Sequence, residues 1–216
     1  LGRLSDRDVL YLQKMGIRQV CDFRTPAEIK NLPDRFPQAG EGRSLQLPIR
    51  HGESDPANTF DRIKAGDVDW MTEEYMINGY IKNIENFAPL WATFFRTLAD
   101  PLNRPLVFHC TGGKDRAGVA AALILLALEV PSETVIRDHG LSNLYIADVL
   151  ERIYDRIRTM GVNPASISAY FVAPPNAIVA VLEHLEKSYG SVVNYLIDRA
   201  GVDEKLLMRL KEDLLE

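Results

Sequence analysis

The chain has 216 residues, of which 46% are hydrophobic and 25% charged, and its formal net charge at pH 7 is −5. A chain of this size buries one sizeable core, so we expect a single domain over residues 1–216. Ordinary glycine and proline content without a biased tract argues against disordered, collagen-like and repeat proteins. Because the net charge is negative and the arginines are scattered, we do not expect nucleic acid as a partner.

Cysteine content and apolar runs limit the class of protein further. The longest strongly apolar run, Ala117–Leu128, is far shorter than the roughly 20 residues that span a bilayer, so we expect a buried helix and no integral membrane segment. Two cysteines are too few for a disulfide scaffold. The chain opens at Leu1 with no secretory signal, so we expect a cytoplasmic protein, or a secreted one if a signal precedes this residue.

Helical and extended patterns alternate at the start of the chain. Asp6–Met15 has helical spacing, and Ile17–Phe23 is rich in β-branched residues and predicts a strand. The tetrapeptide TPAE is a capping box with proline at the first helical position, so a short helix begins after Arg24. Ser44–Ile49 predicts a second strand. The first helix is expected to direct Val9, Leu10, Leu12 and Met15 toward a core.

The rest of the chain is mostly helical in pattern. His51–Asp69 predicts a long loop, which is either a substrate-contacting lid or a mobile surface segment. Met71–Leu98 has helical spacing with a break near Pro89. We therefore predict an α/β fold, with a mainly parallel sheet flanked by helices and a helical C-terminal half. The late helices are expected over residues 132–147, 148–160, 174–189, 191–200 and 203–215.

The chemistry concentrates in residues 109–118, HCTGGKDRAG. An apolar run of strand type precedes this segment, and an apolar helix begins near Arg116. A strand, a tight loop and a helix N-terminus together build an anion site, because backbone N–H groups turn inward. Gly112 and Gly113 permit the dihedral angles that such a loop needs. The segment predicts a cradle for a tetrahedral oxyanion, with Cys110 inside it.

Two side chains of this loop suit phosphoryl transfer. The helix N-terminus favours the thiolate form of Cys110, which makes it a nucleophile. Arg116 offers a planar fork that holds two non-bridging phosphoryl oxygens. His109 is expected to shape the loop by hydrogen bonding and not to act as a base, because neighbours along a strand point to opposite faces. A Walker A loop is excluded, because the residue after Lys114 is neither serine nor threonine.

Three stretches resemble one family. HCTGGKDRAG is similar to the HCxxGKDRxG signature of the atypical bacterial tyrosine and phosphoinositide phosphatases, the secreted tyrosine phosphatase B type. Residues 2–28 resemble the entrance of that family, with D-F-R-T in place of D-L-R-T. DHGLSNLYI at residues 138–146 resembles its D-Y-L-x-[ST]-N segment, and YGSVVNYL at 189–196 resembles its C-terminal YGS…YL. The resemblance therefore covers most of the chain.

The resemblance implies a protein-tyrosine-phosphatase-like fold, a phosphocysteine intermediate on Cys110, transition-state binding by Arg116 and no metal or other cofactor. It also implies that Asp115, inside the loop, is the general acid. Ala117 replaces threonine. This change removes a hydroxyl near the thiolate, which bears on the breakdown of the phosphoenzyme and not on the class of reaction.

The identity of the acid stays open among several carboxylates. Asp115 is the first choice, because it lies in the loop near the leaving group. Asp22 is the runner-up, although a structural carboxylate bonded to Arg24 is the favoured interpretation. The long loop offers Asp55, Asp61, Asp67 and Asp69. The phosphate-binding set is Thr111, Gly112, Gly113, Lys114 and Arg116, with Asp22, Arg24 and His109 in support.

The sequence thus predicts a cysteine-dependent phosphomonoesterase. Protein phosphotyrosine is the expected first substrate, phosphoinositides the second, and phosphoserine or phosphothreonine the third. Lys114 suits a multiply phosphorylated substrate or serves only to hold the loop. His139 and His184 are expected to be ordinary surface or packing residues. A phosphate-binding module without turnover and a rhodanese-type sulfurtransferase are the alternatives from other classes.

Overall fold

A small parallel sheet organises the N-terminal half of the chain. The computed structural model describes residues 1–36, 42–50 and 56–215. Within these ranges the sheet has the order β2-β1-β3, and both neighbouring pairs are parallel. The register places Asp22 beside His109, so the carboxyl ends of two strands meet at one edge. The strands are β1 (Gln19–Asp22), β2 (Arg43–Gln46) and β3 (Leu106–His109).

Helices cover the sheet and form the C-terminal half, which confirms the predicted fold class. Short 3-10 segments lie at Pro56–Asn58, Pro101–Asn103 and Pro164–Ile167, and one π turn at Tyr195–Arg199. The helices are α1 (Asp6–Lys14), α2 (Pro26–Asn31), α3 (Thr59–Lys64), α4 (Glu73–Asn86), α5 (Ala88–Ala99), α6 (Arg116–Ala127), α7 (Ser132–Thr159), α8 (Ser168–Phe171), α9 (Pro175–Tyr189), α10 (Val192–Asn194) and α11 (Glu204–Leu214).

The capping box predicted for the helix after Arg24 is confirmed, and the first helix has one of the same kind. Ser5 caps α1 and Thr25 caps α2, each in a reciprocal capping box. The predicted inner face of α1 is wrong in part, because Leu10 is 56% exposed and Met15 is 50% exposed. Val9 is the buried side chain of this helix. A helix turns about 100° per residue, so Leu10 cannot share the narrow stripe that Val9 occupies.

The predicted break near Pro89 is confirmed, because α4 and α5 are separate helices that meet at Phe87. The predicted boundary between residues 147 and 148 is wrong, since α7 continues through it; neither residue there is glycine or proline, so nothing ends the helix. The 3-10 segment and α8 between residues 164 and 171 were not predicted.

The predicted loop at His51–Asp69 is partly helical. Residues 51–55 lie outside the described residues. From Pro56 to Lys64 the chain forms a 3-10 segment and α3, and Ile63 is buried against Ile157 and Ile167 of the helical half. Burial of the apolar Ile63 side chain stabilises this helix against the helical half of the chain.

The main core holds α6 between the sheet and the helical half. Val119, Ala120 and Leu123 of α6 are fully buried, and the helix packs against β3 and α7. Phe23, which follows β1, contacts Phe94 of α5 edge-on at 5.3 Å. This packing fixes the N-terminus of α6 at the carboxyl edge of the sheet.

One stretch, Pro164–Tyr189, is long and apolar enough to span a membrane by length and composition. It is longer than the run of residues 117–128 that the sequence analysis singled out. The stretch is not one continuous helix, because α8 ends at Phe171 and α9 begins at Pro175. The buried face of α9 packs against α4 in the core. Part of its apolar surface is therefore buried in the core.

Candidate active site

The loop between β3 and α6 wraps around the thiol of Cys110. β3 ends at His109, Cys110 follows it, and α6 begins at Arg116. Gly113 has φ +75°, a left-handed conformation that glycine adopts without strain. Its N–H donates to the Sγ atom of Cys110 at 3.3 Å. A backbone donor aimed at sulfur stabilises negative charge there, as the predicted anion cradle requires.

Arg116 is held firmly on one side and open on another. Its Nη1 donates to the carbonyls of Phe23 at 3.1 Å and Ile49 at 3.2 Å. Nη1 and Nη2 each donate to Glu28 at 2.7 Å. The Nε–H and one Nη2–H have no hydrogen-bond partner among the described residues. These two donors lie on the same edge of the guanidinium, so they form the two-point fork that a phosphoryl group needs.

Glu28 is a residue of this site that the sequence analysis did not identify. The capping box accounted for it, since its Oε2 accepts from the Thr25 N–H at 2.8 Å. The same carboxylate also accepts from the hydroxyl of Thr111 in the loop and from Arg116. Burial disfavours its charge, but the hydrogen bonds and charge of Arg116, together with Thr111, hold the pKa of Glu28 below its usual value. Only the tertiary contact reveals this second role.

A buried ion-pair network lies at the base of the loop. Both oxygens of Asp22 are bound by Arg24, at 2.9 Å to Nε and 2.7 Å to Nη2. The backbone N–H of Arg24 also donates to Asp22 at 2.9 Å. His109 places its Nδ1 3.1 Å from the carbonyl oxygen of Cys110. With both oxygens engaged, Asp22 fits the structural interpretation better than that of a proton donor.

Among the described residues, this network contains a group of oxygen and nitrogen atoms that could bind a metal ion. Asp22, Asp34 and His109 bring oxygen and nitrogen atoms within 4.8 Å of one another. The Nη2 of Arg24 lies 2.7 Å from an oxygen of each aspartate. Arg24 therefore already supplies the positive charge, and a metal ion would have to displace a buried guanidinium.

Asp115 is bound from two sides. The ammonium of Lys114 contacts both carboxylate oxygens at 2.7 and 2.8 Å, and it also donates to the carbonyl of Tyr170 at 3.0 Å. The hydroxyl of Tyr80 donates to Oδ1 of Asp115 at 2.8 Å. Lys114 is buried, so its charge is stabilised by these contacts to the loop and to α8.

The alternative acids of the predicted loop are placed differently. Asp61, Asp67 and Asp69 are exposed, and Asp67 is paired with Arg62 at 2.7 Å. Within the described residues none of the three has a hydrogen bond or ion pair to loop 110–116. Asp55 lies outside the described residues. The arrangement therefore favours Asp115 among the candidate carboxylates that the structure describes.

A cleft of about 320 Å³ opens beside the loop. Gly112 and Gly113 form one wall, and Asp138, Leu141, Ser142, Tyr145 and Ile146 of α7 form the other. Tyr145 is 84% exposed at this position, and Leu144 beside it is 72% exposed. The cleft offers an aromatic and aliphatic surface for the part of a substrate that carries the phosphate.

Comparison with known proteins agrees with the geometry. The chain is 29% identical over 199 residues to a protein of Cupriavidus necator provisionally named a tyrosine-protein phosphatase, covering 92% of this chain and 71% of that protein. It is 24% identical over 253 residues to the triple specificity protein phosphatase PtpB of Mycobacterium tuberculosis, covering all of this chain and 88% of the relative. A tyrosine-protein phosphatase of Nostoc commune is 27% identical over 154 residues, which are 68% of this chain and 47% of that one. The sequence model of the tyrosine phosphatase family matches residues 1–216, and the chain belongs to that family.

Proposed function

We propose that the chain hydrolyses phosphate monoesters through a phosphocysteine on Cys110. The observation that carries this assignment is a single loop with the Cys110 thiol, which accepts the Gly113 N–H, at one end and Arg116, whose outer edge is bound by Glu28, at the other. Burial disfavours the charge of Arg116, but Glu28 and then Cys110 outweigh it and raise the pKa of Arg116 above its usual value. The guanidinium therefore stays charged throughout the reaction.

The reaction takes two displacements. In the first, Cys110 Sγ bonds to phosphorus, the bond from phosphorus to the leaving oxygen breaks, and Asp115 gives that oxygen a proton. In the second, water attacks the phosphocysteine, Asp115 takes up a proton from the water, and the thiolate leaves. The open edge of Arg116 holds two phosphoryl oxygens in both transition states. Atoms and protons balance over the cycle, which converts the ester and water into an alcohol and phosphate.

Phosphotyrosine is the preferred substrate of this proposal. The Lys114 ammonium is already bound to Asp115 and to the Tyr170 carbonyl, so it is poorly placed to receive a second phosphate. The cleft beside the loop presents Tyr145 and Leu141, which suit an aromatic ring and peptide better than an inositol ring. Phosphoinositides rank second, in keeping with the triple specificity in the name of one relative, and phosphoserine and phosphothreonine rank third.

The test is phosphate release from an aryl phosphate in excess EDTA, between pH 4.5 and 8, by the natural chain and the Cys110→Ser variant. We expect turnover that survives EDTA and is lost in Cys110→Ser. Turnover that persists in the variant would overturn the phosphocysteine. Binding of phosphate without turnover in either protein would support a phosphate-binding module instead. A phosphotyrosine peptide and a short-chain phosphoinositide, compared by kcat/KM, then rank the substrates.

A further inference from the structure

A chain of hydrogen bonds leads from Asp115 into the helical half. Tyr80 of α4 donates to Oδ1 of Asp115 at 2.8 Å, and its oxygen lies 3.1 Å from Nε2 of His139 on α7. Tyr80 is fully buried and His139 is 3% exposed. Of the two expectations for His139, a surface residue or a packing residue, the structure bears out packing, and it adds the contact to Tyr80. A buried imidazole that reaches a loop carboxylate through one hydroxyl can exchange protons with it.

The fold makes room for this imidazole. A Cβ atom on Gly118 would lie 2.9 Å from Cδ2 of His139, so only glycine at this position of α6 leaves the ring in place. The helix that carries His139, α7, is tied down by Asn143, whose side chain exchanges two hydrogen bonds with the backbone of Ala173. These two hydrogen bonds hold in place the part of α7 that carries the His139 ring.

The ionisation of these groups suits proton sharing. Burial raises the pKa of Tyr80 well above its usual value, and the charge of Asp115 adds to this, so the phenol stays protonated. Burial lowers the pKa of His139; Asp115 and Asp138 oppose that change and Lys114 reinforces it. His139 therefore releases a proton readily, and Tyr80 passes it on without becoming an anion.

We propose that Tyr80 and His139 are positioning residues that share one proton with Asp115, an inference that rests on the acid role of Asp115 in the proposed function. In one arrangement the imidazolium Nε2–H donates to Tyr80, and the Tyr80 hydroxyl donates to the Asp115 carboxylate. In the other, the carboxylic acid of Asp115 donates to Tyr80, and Tyr80 donates to neutral His139. The change moves two protons by one bond each, and the net charge of the three groups is the same in both arrangements.

This sharing fits both displacements. In the first displacement the shared proton is transferred from Asp115 to the leaving oxygen. In the second, a proton is transferred from the attacking water to Asp115. No outside acid is needed. Loss of either Tyr80 or His139 should therefore slow the turnover of substrates whose leaving oxygen must be protonated. It should have little effect on the turnover of substrates whose leaving group departs as an anion.

The first test compares a good leaving group, p-nitrophenyl phosphate, with a poor one, phenyl phosphate, by kcat. Tyr80→Phe and His139→Gln should slow phenyl phosphate by about 10-fold or more and p-nitrophenyl phosphate by less than about 3-fold. Tyr195→Phe removes another fully buried hydroxyl, which donates to the Ile84 carbonyl, and is the matched control for Tyr80. His184→Gln, which breaks a contact to Glu85, is the control for His139. Both controls should leave the ratio of the two rates unchanged.

Asp115→Asn separates this inference from the proposed function. If Asp115→Asn does not change the ratio of the two kcat values, Asp115 is not the general acid. Both the acid role in the proposed function and the sharing of the proton are then overturned. If Asp115→Asn changes the ratio but Tyr80→Phe and His139→Gln slow both substrates equally, only the sharing of the proton is overturned. In the Asp115→Asn background we expect neither change to alter the ratio further.

Two further measurements guard against a variant that fails to fold. Gly118→Ala adds one methyl group against the His139 ring and removes no titratable group, so it should reproduce the altered ratio of His139→Gln. Histidine 15N signals of the natural chain, assigned with His139→Gln, report the titration of His139 directly. Because the charge of Asp115 raises the pKa of His139, Asp115→Asn should move this titration to lower pH. An unmoved titration would overturn the inference.

Discussion

The carboxylate of Glu28 and the guanidinium of Arg116 form a two-point ion pair, with both contacts at 2.7 Å and each side chain 5% exposed. Glu28 belongs to α2 and Arg116 to α6, so the pair joins a helix after β1 to the helix after β3. By occupying the outer edge of the guanidinium, Glu28 turns the remaining edge toward the loop. The capping helix thus orients the side chain that the proposed function assigns to phosphate binding.

Glu28→Gln should lower both stability and turnover. The variant leaves a buried guanidinium without its counter-charge, which costs about 3–5 kcal/mol of unfolding free energy. Turnover should fall by about 10-fold or more, because a misplaced Arg116 loses transition-state contacts. Urea unfolding and kcat measure the two effects. Asp155→Asn, which breaks an exposed ion pair with Arg158, should change stability by less than about 1 kcal/mol. Equal effects of the two variants would contradict the role of Glu28.

Arg116→Lys should lower kcat by at least about 100-fold, since an ammonium lacks the two parallel donors of the open edge. Lysine also cannot keep the bonds to the Phe23 and Ile49 carbonyls together with the pair to Glu28. Arg199→Lys, at an exposed arginine that contacts Glu85, is the control and should keep its kcat. A turnover in Arg116→Lys within about 3-fold of the natural chain would show that charge alone suffices.

The stabilising effect of Glu28 should depend on pH. Its folded pKa lies below the usual 4.5, so the unfolded chain binds a proton at Glu28 at a higher pH than the folded chain does. The contribution is therefore complete well above pH 4.5 and is lost as the pH falls through the folded pKa. The difference in unfolding free energy between the natural chain and Glu28→Gln should shrink between pH 6 and pH 3. A constant difference would contradict this.

The two cysteines should react differently with an alkylating reagent. Burial raises the pKa of Cys21 to about 12, and its side chain is fully buried on β1. Cys110 has an amide donor on its sulfur and is 6% exposed, whereas Cys21 is 0% exposed. Iodoacetamide at pH 7.5 should therefore modify Cys110 first, and phosphate should slow the reaction. Peptide mass spectrometry reads the site, and modification of Cys21 at an equal rate would be the contrary result.

Tyr145 should contribute to recognition of the peptide and not to the chemical step. Tyr145→Ala should raise KM for a phosphotyrosine peptide by about 3-fold or more and leave kcat for p-nitrophenyl phosphate unchanged. Tyr11→Ala, at an exposed tyrosine of α1, is a control that should leave both constants alone. A fall in kcat for the small substrate in Tyr145→Ala would place this side chain closer to the reacting groups than the cleft suggests.

Much of the candidate site could be predicted from the sequence, because its main residues are close together along the chain. Cys110 and Arg116 are the ends of one short segment between a strand and a helix, and loop glycines, an apolar strand and an apolar helix leave clear signals. The caps of α1 and α2 are equally local. The continuity of α7 was missed, because the absence of a helix breaker is a weaker signal than its presence.

The sequence by itself determined the α/β class, the glycine-containing loop between β3 and α6 and the place of Cys110 in that loop, since each depends on neighbours within a few residues. Only the tertiary structure decided that Glu28 faces Arg116 and that Tyr80 joins His139 to Asp115. Such contacts join residues 35 to 88 positions apart, and no periodicity or spacing encodes them. They arise because α2, α4 and α7 pack around the N-terminus of α6, where burial makes each polar group require a partner.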